Sequence, residues 1–322
     1  MRIAIINCYF GKLPNYFDYW EQSAINNPTI DFILFSDCDI DTKGSTNLIV
    51  YKMSFEQLKS KINKKLSIET CFSSPYKLTD FKPAFGVIFE DELKSYDYWG
   101  YCDIDLVFGN LSFFLQQPIK DDYLKIYNLG HLTLYKNCES MNNLFKSPGS
   151  PFSYLEVFSN PEFYSFDEHV GMMKICKENN INTYSKEDMA DVSCRLSKLT
   201  ISRHKNYKYQ VFYYENGSVF RAYLSKANIL TEEFIYIHFQ KRKLIIQDLY
   251  PRFYFLHDSI IEKNNDGAPS IDELKKYSEN RLVFIGFFEK ALFYCKKMIS
   301  FLKSSKKQKK IWIEQKKAEN IV

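Results

Sequence analysis

The chain has 322 residues, of which 45% are hydrophobic and 17% aromatic, and its formal net charge is +4. That length accommodates one large domain or two small ones, and the composition is ordinary for a globular protein. No stretch reaches the roughly 18 uncharged apolar residues of a membrane-spanning helix, and the first residues lack the pattern of a secretory signal. The eight cysteines form no C-x-x-C pair, so we expect them to be reduced residues of a cytoplasmic protein.

The first half of the sequence alternates apolar runs with helical stretches. Strands are predicted at residues 2–7, 30–35, 48–53 and 98–102, and helices at 15–26, after the capping box of Ser54 and Gln57, and from Pro83 to about residue 93. This order predicts an α/β sheet with helices on both faces. Ligands of such sheets bind beyond the carboxyl ends of the strands, so the residues after these strands are expected to meet at one crevice.

The second half is less regular. Short strands are predicted at residues 124–127 and 132–135, a helix at 168–177, a hairpin of 207–214 with 218–224, and a last apolar strand at 234–239. The sequence has no internal repeat and no long linker. We therefore predict one domain over residues 1–260 and a separate C-terminal segment over residues 261–322.

The C-terminal segment is strongly basic. From Lys290 onward there are ten lysines and two glutamates, a net charge of +8, so the rest of the chain carries −4. Apolar residues recur with helical spacing over residues 283–302, which predicts a basic amphipathic helix on an anionic membrane surface. A helix docked on the body with a solvated lysine tail is the alternative. Nucleic-acid binding is not expected, because the body is acidic and carries no recognition motif.

A pair of acids follows the strand at residues 98–102, in the stretch YWGYCDIDLVFGN (98–110). On a strand, Asp103 and Asp105 would share one face, and two adjacent carboxylates are typical ligands of Mg²⁺ or Mn²⁺. The same spacing occurs at Asp37/Asp39 and Asp39/Asp41, so spacing alone does not choose among the pairs. A solvated acidic turn is the alternative for each pair.

Five stretches together are more specific than any one of them: YKLTDFKPAFGVIFEDEL (76–93), YDYWGYCDIDLVFGNL (96–111), GHLTLYKN (130–137), FDEHVGM (166–172) and HFQKRK (238–243). Over roughly residues 1–255 this set resembles a family of bacterial glycosyltransferases from capsular and lipopolysaccharide sugar gene clusters. That family is distantly similar to the glycogenin and lipopolysaccharide galactosyltransferase group. The resemblance implies a GT-A-like, Rossmann-like mixed sheet flanked by helices, a D-x-D motif, a divalent metal and a nucleotide-sugar donor.

The resemblance also selects the metal ligands. The metal motif of the GT-A fold lies roughly a hundred residues into the chain, which fits Asp103 and Asp105. His238 matches the late histidine ligand of the glycogenin-like group, although a core histidine is the alternative. Two carboxylates and an imidazole suit Mn²⁺ better than Mg²⁺. Such a metal stabilises a departing diphosphate as a Lewis acid.

Further residues are expected to contact the donor, either as strand-end residues or through the resemblance. They are Asn7, Tyr9, Phe10, Gly11, Asp37, Asp80, Lys82 and Lys241. Asp37 would face the uracil or ribose, Asp80 a sugar hydroxyl, and Lys82 the sugar and phosphate. Lys241 would face the diphosphate. Lys77 is the alternative to Lys82, and Arg242 or Lys243 to Lys241.

Asp167 and Glu168 match the position of an acid or amide pair beside the reacting sugar carbon, although a helix cap would equally explain Asp167. If the enzyme inverts configuration, one of them is the general base; the kinship with glycogenin favours retention. The stretch from His131 to Thr133 would line the acceptor side or belong to the core.

The expected protein is thus a metal-dependent hexosyltransferase of surface polysaccharide biosynthesis. It would use Mn²⁺ or Mg²⁺ and a UDP-sugar, such as UDP-galactose or UDP-glucose, with a glycan or lipid-linked oligosaccharide acceptor. It would be cytoplasmic and peripherally bound to the inner face of the plasma membrane. The alternatives are a non-catalytic, membrane-docked sugar-binding or assembly protein and a sugar nucleotidyltransferase. The latter is disfavoured because the loop NCYFGKLPN has one glycine.

Overall fold

The computed structural model describes residues 1–193, 198–240, 242–278, 292 and 295–319, without the side chains of residues 318 and 319. The strands are β1 Ile3–Tyr9, β2 Ile30–Ser36, β3 Leu48–Lys52, β4 Tyr98–Cys102, β5 Leu106–Phe108, β6 Lys125–Leu129, β7 Leu132–Lys136, β8 Thr183–Tyr184, β9 Ala190–Asp191, β10 Gln210–Glu215, β11 Ser218–Ser225, β12 Asn228–Phe234, β13 Tyr236–His238, β14 Phe253–Phe255 and β15 Ile260–Glu262. The α-helices are α1 Phe17–Ile25, α2 Phe55–Leu66, α3 Phe85–Ile88, α4 Glu90–Leu93, α5 Leu111–Lys120, α6 Glu139–Asn142, α7 Tyr154–Phe158, α8 Met172–Glu178, α9 Ile271–Ser278 and a C-terminal helix Lys306–Glu319. Segments Pro75–Ala84 and Leu144–Lys146 are 3₁₀-helical.

The main sheet has seven strands in the order β3-β2-β1-β4-β7-β6-β8. Strands β1 to β4 are parallel to one another, whereas β7 is antiparallel to both β4 and β6. Alternate residues of β1 enter two different hydrophobic clusters, which α1 and α2 cover on opposite faces. A strand buried on both faces explains the nearly continuous apolar run of β1. The predicted mixed α/β sheet with flanking helices is therefore confirmed.

Two smaller sheets complete the fold. One contains β5, β13 and β9, and the other contains β12, β11, β10, β14 and β15. The predicted Asn-Gly hairpin is confirmed as β10 and β11, paired from Glu215↔Ser218 outward. The predicted strand at residues 234–239 is instead divided between two sheets. Phe234 ends β12, which pairs with β11, and Tyr236 begins β13, which pairs with β5. The predicted strand is also not the last strand, since β14 and β15 follow.

Two predicted helices begin later than expected. The segment around Pro83 is a 3₁₀-helix followed by the short helices α3 and α4, because proline has no N–H to continue an α-helical hydrogen-bond ladder. Helix α8 begins at Met172 after Gly171, five residues beyond Asp167. Asp167 is therefore not the cap of this helix.

The C-terminal helix Lys306–Glu319 packs on the body of the protein. Its Ile311 is buried, its Gln308 donates to the Glu162 carboxylate at 2.9 Å, and its Gln315 donates to Ser165 Oγ at 3.1 Å. The predicted amphipathic helix at 283–302 lies largely outside the described residues, although residues 295–303 are helical. Within the described part of the chain, no helix is long and apolar enough to cross a membrane.

Candidate functional site

A cavity of about 470 Å³ lies where the loops after β1 and β4 meet. The two loops are adjacent because β1 and β4 pair in parallel, and Asn7 Nδ2 donates to the Cys102 carbonyl at 2.8 Å. Of the residues expected at the donor site, the cavity is lined by Asn7, Tyr9, Phe10, Lys82, Asp103 and Asp105. Its volume is within the range of small-molecule sites.

The D-x-D segment does not lie on a strand. Asp103 and Asp105 occupy the link between β4 and β5, where the chain passes from the main sheet to the three-stranded sheet. The Asp103 N–H donates to the His131 carbonyl at 3.1 Å, and the Asp105 carbonyl accepts from the Phe239 N–H at 3.2 Å. The two acids are thus held by backbone bonds to two different parts of the chain, rather than by the alternation of a strand.

The three-stranded sheet aligns residues that are far apart in the sequence. Leu106 of β5 pairs with His238 of β13, and His238 pairs with Asp191 of β9. Asp105 directly precedes Leu106, so the register brings Asp105, His238 and Asp191 side by side. His238 is 9% exposed, with Nε2 3.5 Å from Asp105 Oδ1 and Nδ1 2.9 Å from Asp191 Oδ1.

Asp103, Asp105 and His238 form a group that fits a metal ion. One ligand atom from each residue lies within 4.8 Å of the others. Two carboxylate oxygens and an imidazole nitrogen are a donor set that Mn²⁺ accepts. The Asp103 and Asp105 side chains also line the cavity, so an ion at this position would be accessible to a phosphate ligand.

In a second group, of His131, Asp191 and His238, one ligand atom from each residue also lies within 4.8 Å of the others. However, the rings of His131 and His238 are stacked, with centroids 4.3 Å apart and planes inclined by 25°. A histidine nitrogen binds a metal along its lone pair, in the plane of the ring, and two nearly parallel rings do not direct their lone pairs at one point. His131 Nδ1 is also within 2.7 Å of the Tyr236 hydroxyl. We therefore favour the group that contains the D-x-D acids.

The electrostatics of His238 and His131 differ sharply. Burial opposes the charged form of His238, but hydrogen bonds with Asp105 and Asp191 outweigh it and raise the pKa to about 10. Burial and the charge of His238 lower the pKa of His131 to about 3. Asp191 has a pKa below its usual range, because its bond to His238 outweighs burial. The carboxylates thus concentrate negative charge around one imidazole.

Lys82 connects the cavity to the second pair of acids. Its ammonium is 2.5 Å from Asp103 Oδ1, donates to the Gly130 carbonyl at 2.8 Å and is 3.9 Å from Asp167 Oδ2. Burial disfavours this charge, but Asp103 and Asp167 outweigh it and raise the pKa of Lys82. The lysine therefore remains charged at the cavity wall.

Asp167 and Glu168 are held differently. Asp167 is 1% exposed, and neither of its carboxylate oxygens has a hydrogen-bond partner among the described residues. Burial raises its pKa well above the ordinary value. Glu168 Oε1 instead accepts the Gly130 N–H at 2.6 Å. A Cβ at Gly130 would lie 2.2 Å from Asp167 Oδ2, so any larger residue there would displace this acid.

Asp80 lies away from the cavity lining. It is fully buried, pairs with Lys77 Nζ at 2.8 Å, and accepts the N–H groups of Tyr164 and Phe166. These contacts fix the loop that leads to Asp167. Lys77, the alternative to Lys82, donates hydrogen bonds to Asp80 and to the Glu162 carbonyl.

The remaining predicted residues have mixed positions. Asp37 is exposed and accepts the Gly11 N–H at 2.8 Å, which fixes the loop after β1 beside the cavity. Lys241 lies outside the described residues. Arg242 donates to the backbone carbonyls of Ser193 and His257, so its guanidinium links two loops. His131 and Thr133 are buried and do not line the cavity.

Sequence reasoning missed several residues of the site. Asp191 contacts His238 and accepts from Gln240, while Tyr16, Tyr76 and Thr79 line the cavity. No local pattern marks Asp191, which lies 47 residues before His238. Tyr76 and Thr79 belong to the stretch that carried the resemblance, and their proximity to Lys82 was the available signal.

Comparison with known proteins gives a family without an assigned activity. A family of unknown function, DUF6625, matches residues 5–264, which is most of the chain, so the chain belongs to that family. No curated protein matches it significantly.

Proposed function

We propose that this DUF6625 protein is a metal-dependent glycosyltransferase with a GT-A-like fold. The observation that carries the proposal is the grouping of Asp103, Asp105 and His238 at a cavity whose wall also holds the Lys82 ammonium. Metal ligands next to a buried cation suit a diphosphate. The aromatic side chains of Tyr9, Phe10 and Tyr16 offer surfaces for a base or a sugar.

The proposed reaction breaks the bond between the anomeric carbon of a UDP-hexose and its diphosphate oxygen. A bond forms between that carbon and an acceptor hydroxyl oxygen, and the hydroxyl proton is released. In a retaining reaction the leaving phosphate oxygen takes the proton, whereas an inverting reaction needs a carboxylate base. A divalent metal bound at Asp103, Asp105 and His238 would stabilise the charge of the leaving diphosphate.

The protein's own side chains have separable roles in this proposal. Lys82, which contacts Asp103 and lies 3.9 Å from Asp167, would bind the diphosphate through its ammonium. Asp167 is buried outside the cavity lining, 3.9 Å from Lys82, so its proposed role is to support that ammonium from behind the cavity wall. Glu168 fixes the Gly130 loop through its bond to the backbone N–H. Retention rather than inversion is proposed from the resemblance to the glycogenin group.

The test is hydrolysis of the donor in the absence of an acceptor. The protein is incubated with UDP-, GDP- and CMP-sugars, with Mn²⁺ or with a chelator. We expect Mn²⁺-dependent release of UDP from one UDP-hexose and none from an Asp103→Asn/Asp105→Asn variant.

The matched control is Asp39→Asn/Asp41→Asn, which changes an exposed pair with the same spacing and should leave the rate unchanged. Metal-dependent sugar-nucleotide binding without release would favour a non-catalytic binding protein. No release and no metal-dependent binding by the wild-type protein would reject the proposal.

We also propose that the protein acts at an anionic membrane surface, where a lipid-linked acceptor would be presented. Residues 295–303 form a helical stretch with Met298, Ile299 and Leu302 more than half exposed. Exposed Lys296 and Lys303 lie on the same stretch. Exposed apolar side chains with flanking lysines are typical of helices that lie in the interface of anionic bilayers.

A further inference from the structure

We infer that Asp191 is a positioning residue that aims His238 at the D-x-D acids and thereby sets the metal affinity of the site. The inference rests on the proposed metal site, but it concerns binding rather than sugar transfer. Asp191 was not recognisable in the sequence, and it is not required as a metal ligand. Its position derives from strand pairing and its effect from one hydrogen bond.

The backbone places Asp191 beside His238. Strand β9 consists of only two residues, Ala190 and Asp191, and it pairs in parallel with β13 at Ile237 and His238. The Val192 N–H donates to the His238 carbonyl at 2.9 Å. The Asp191 carbonyl accepts the Ser202 N–H at 2.9 Å. Backbone bonds therefore fix this short strand on both sides.

The side-chain bond determines which nitrogen of His238 faces the acids. Asp191 Oδ1 is 2.9 Å from His238 Nδ1. An ionised carboxylate only accepts hydrogen bonds, so Nδ1 carries the proton and donates it. In the neutral ring, the lone pair is then on Nε2, the nitrogen 3.5 Å from Asp105 Oδ1. This carboxylate–histidine arrangement orients the ring and makes its free nitrogen a better metal ligand.

Further contacts restrain Asp191 and His238. Gln240 Nε2 donates to the same Asp191 oxygen at 2.7 Å, and this bond holds the carboxylate in place. The His131 ring stacks on one face of His238, and the Tyr236 hydroxyl holds His131. His238 is therefore restrained both at its Nδ1 edge and on its face. Loss of Asp191 removes the restraint that defines the tautomer and leaves the stacking intact.

The experiment measures Mn²⁺ binding to the full chain by calorimetry, without nucleotide. Outer hydrogen-bond partners of metal-bound histidines typically change metal affinity by about 10- to 100-fold. We expect Asp191→Ala to weaken Mn²⁺ binding by about 100-fold and Asp191→Asn by about tenfold, since Asn still accepts from Nδ1–H but is uncharged. Gln240→Leu, which leaves both members of the pair in place, should produce a smaller loss.

Asp188→Asn is the matched control. Asp188 is a buried acid three residues away that accepts from the Tyr127 and Tyr184 hydroxyls, and it does not contact His238. The control should retain wild-type Mn²⁺ affinity. A second readout is the protonation of the two His238 ring nitrogens by ¹⁵N NMR in the protein saturated with Zn²⁺, a diamagnetic probe whose binding at Nε2 leaves the ring neutral. His238 should keep its proton on Nδ1 and bind Zn²⁺ through Nε2 in the wild type, and this single form should decline in Asp191→Ala.

The outcomes separate this inference from the proposed function. Unchanged Mn²⁺ affinity in Asp191→Ala, or an equal loss in Asp188→Asn, would overturn the inference. If the Ala variant does not fold, unchanged affinity in both Asp191→Asn and Gln240→Leu would overturn it. A wild-type protein that binds no Mn²⁺ would overturn both proposals. Asp191-dependent Mn²⁺ binding without donor hydrolysis would support the inference and contradict the transferase.

Discussion

At the scale of single residues, Lys82 links the acids that the sequence placed in separate motifs. Its ammonium contacts Asp103 of the D-x-D segment and lies near Asp167, which is otherwise a buried carboxylate without a hydrogen bond among the described residues. Lys82 and Asp167 are both buried, and removing one partner of a buried pair typically costs about 3–5 kcal/mol, whereas the Asp103 side chain is 37% exposed and loses less. Lys82 therefore has a structural and a proposed binding role that mutagenesis can separate.

We predict that Lys82→Ala lowers the free energy of unfolding by about 3 kcal/mol and weakens UDP binding by at least about tenfold, the effect of one charge-assisted hydrogen bond. Adding Asp167→Asn should restore part of the stability but not the affinity. Urea denaturation and calorimetry with UDP and Mn²⁺ measure the two quantities.

Lys77→Ala is the control for this prediction, since Lys77 is paired with Asp80 and lies outside the cavity lining. It should lose stability and retain UDP affinity while folded. Wild-type UDP affinity in Lys82→Ala would contradict the assigned role.

At the scale of elements, the hairpin of β6 and β7 contains an irregularity that helps to position the Gly130 loop. The register shifts between Ile126 and Leu129, and Tyr127 has a φ of 66°, which is uncommon for a bulky residue. Lys125, fully buried, donates to the Tyr127 carbonyl and to Asn128 Oδ1, both at 2.7 Å. These bonds stabilise the strained turn, but they require the charged Lys125 ammonium to be buried.

That ammonium should make stability depend on pH. Burial lowers the pKa of Lys125 to about 8, against the opposing attraction of Cys176, Asp167 and Glu168. Between this value and the ordinary pKa of 10.5, the unfolded chain binds a proton that the folded protein does not. The free energy of unfolding therefore rises with pH in this window, at up to 1.36 kcal/mol per unit, or about 3 kcal/mol in total.

We predict that Lys125→Met removes this rise, so that the stability difference between wild type and variant changes by about 3 kcal/mol from pH 7.5 to 10.5. Urea denaturation at several pH values measures it. Lys120→Met, at an exposed position of α5, serves as the control, and its free energy of unfolding should change with pH as that of the wild type does. If the free energy of unfolding of Lys125→Met changed with pH in parallel with that of the wild type, the Lys125 ammonium would not be destabilised in the folded protein.

At the scale of the whole molecule, the C-terminal region has two different surfaces. The helix Lys306–Glu319 is attached to the body by buried Ile311 and by contacts with Glu162 and Ser165. The preceding stretch at residues 295–303 packs through Phe301 against Trp312, with ring centroids 4.6 Å apart, and leaves its other apolar side chains exposed. The docked helix and the membrane surface proposed from the sequence are thus compatible.

We predict that Met298→Glu/Leu302→Glu reduces binding to vesicles of phosphatidylglycerol by about 100-fold, since each buried apolar side chain contributes about 1.5–3 kcal/mol. Flotation measures the effect, and donor hydrolysis in solution should be unchanged. Phe113→Glu, at an equally exposed position on α5, controls for the effect of placing a negative charge at an exposed apolar site. Equal vesicle binding by wild type and the double variant would argue against this surface as the membrane contact.

The sequence by itself determined the local features of this protein. Apolar runs located β1, β2, β3 and β4, and Asn216-Gly217 located the hairpin of β10 and β11, because side-chain periodicity and turn chemistry act over a few residues. The strand order also predicted a crevice at the carboxyl ends, where the loops after β1 and β4 do meet. The candidate metal ligands were selected by the resemblance rather than by spacing.

Only the tertiary structure decided which of these side chains act together. The pairing of β9 with β13 brings Asp191 to His238, and Lys82 contacts Asp103. Asp80 accepts a hydrogen bond from the Tyr164 N–H. Each contact joins residues 21 to 84 positions apart. No local pattern encodes such contacts, because they depend on how strands pair and on which buried polar groups need partners once the core has formed.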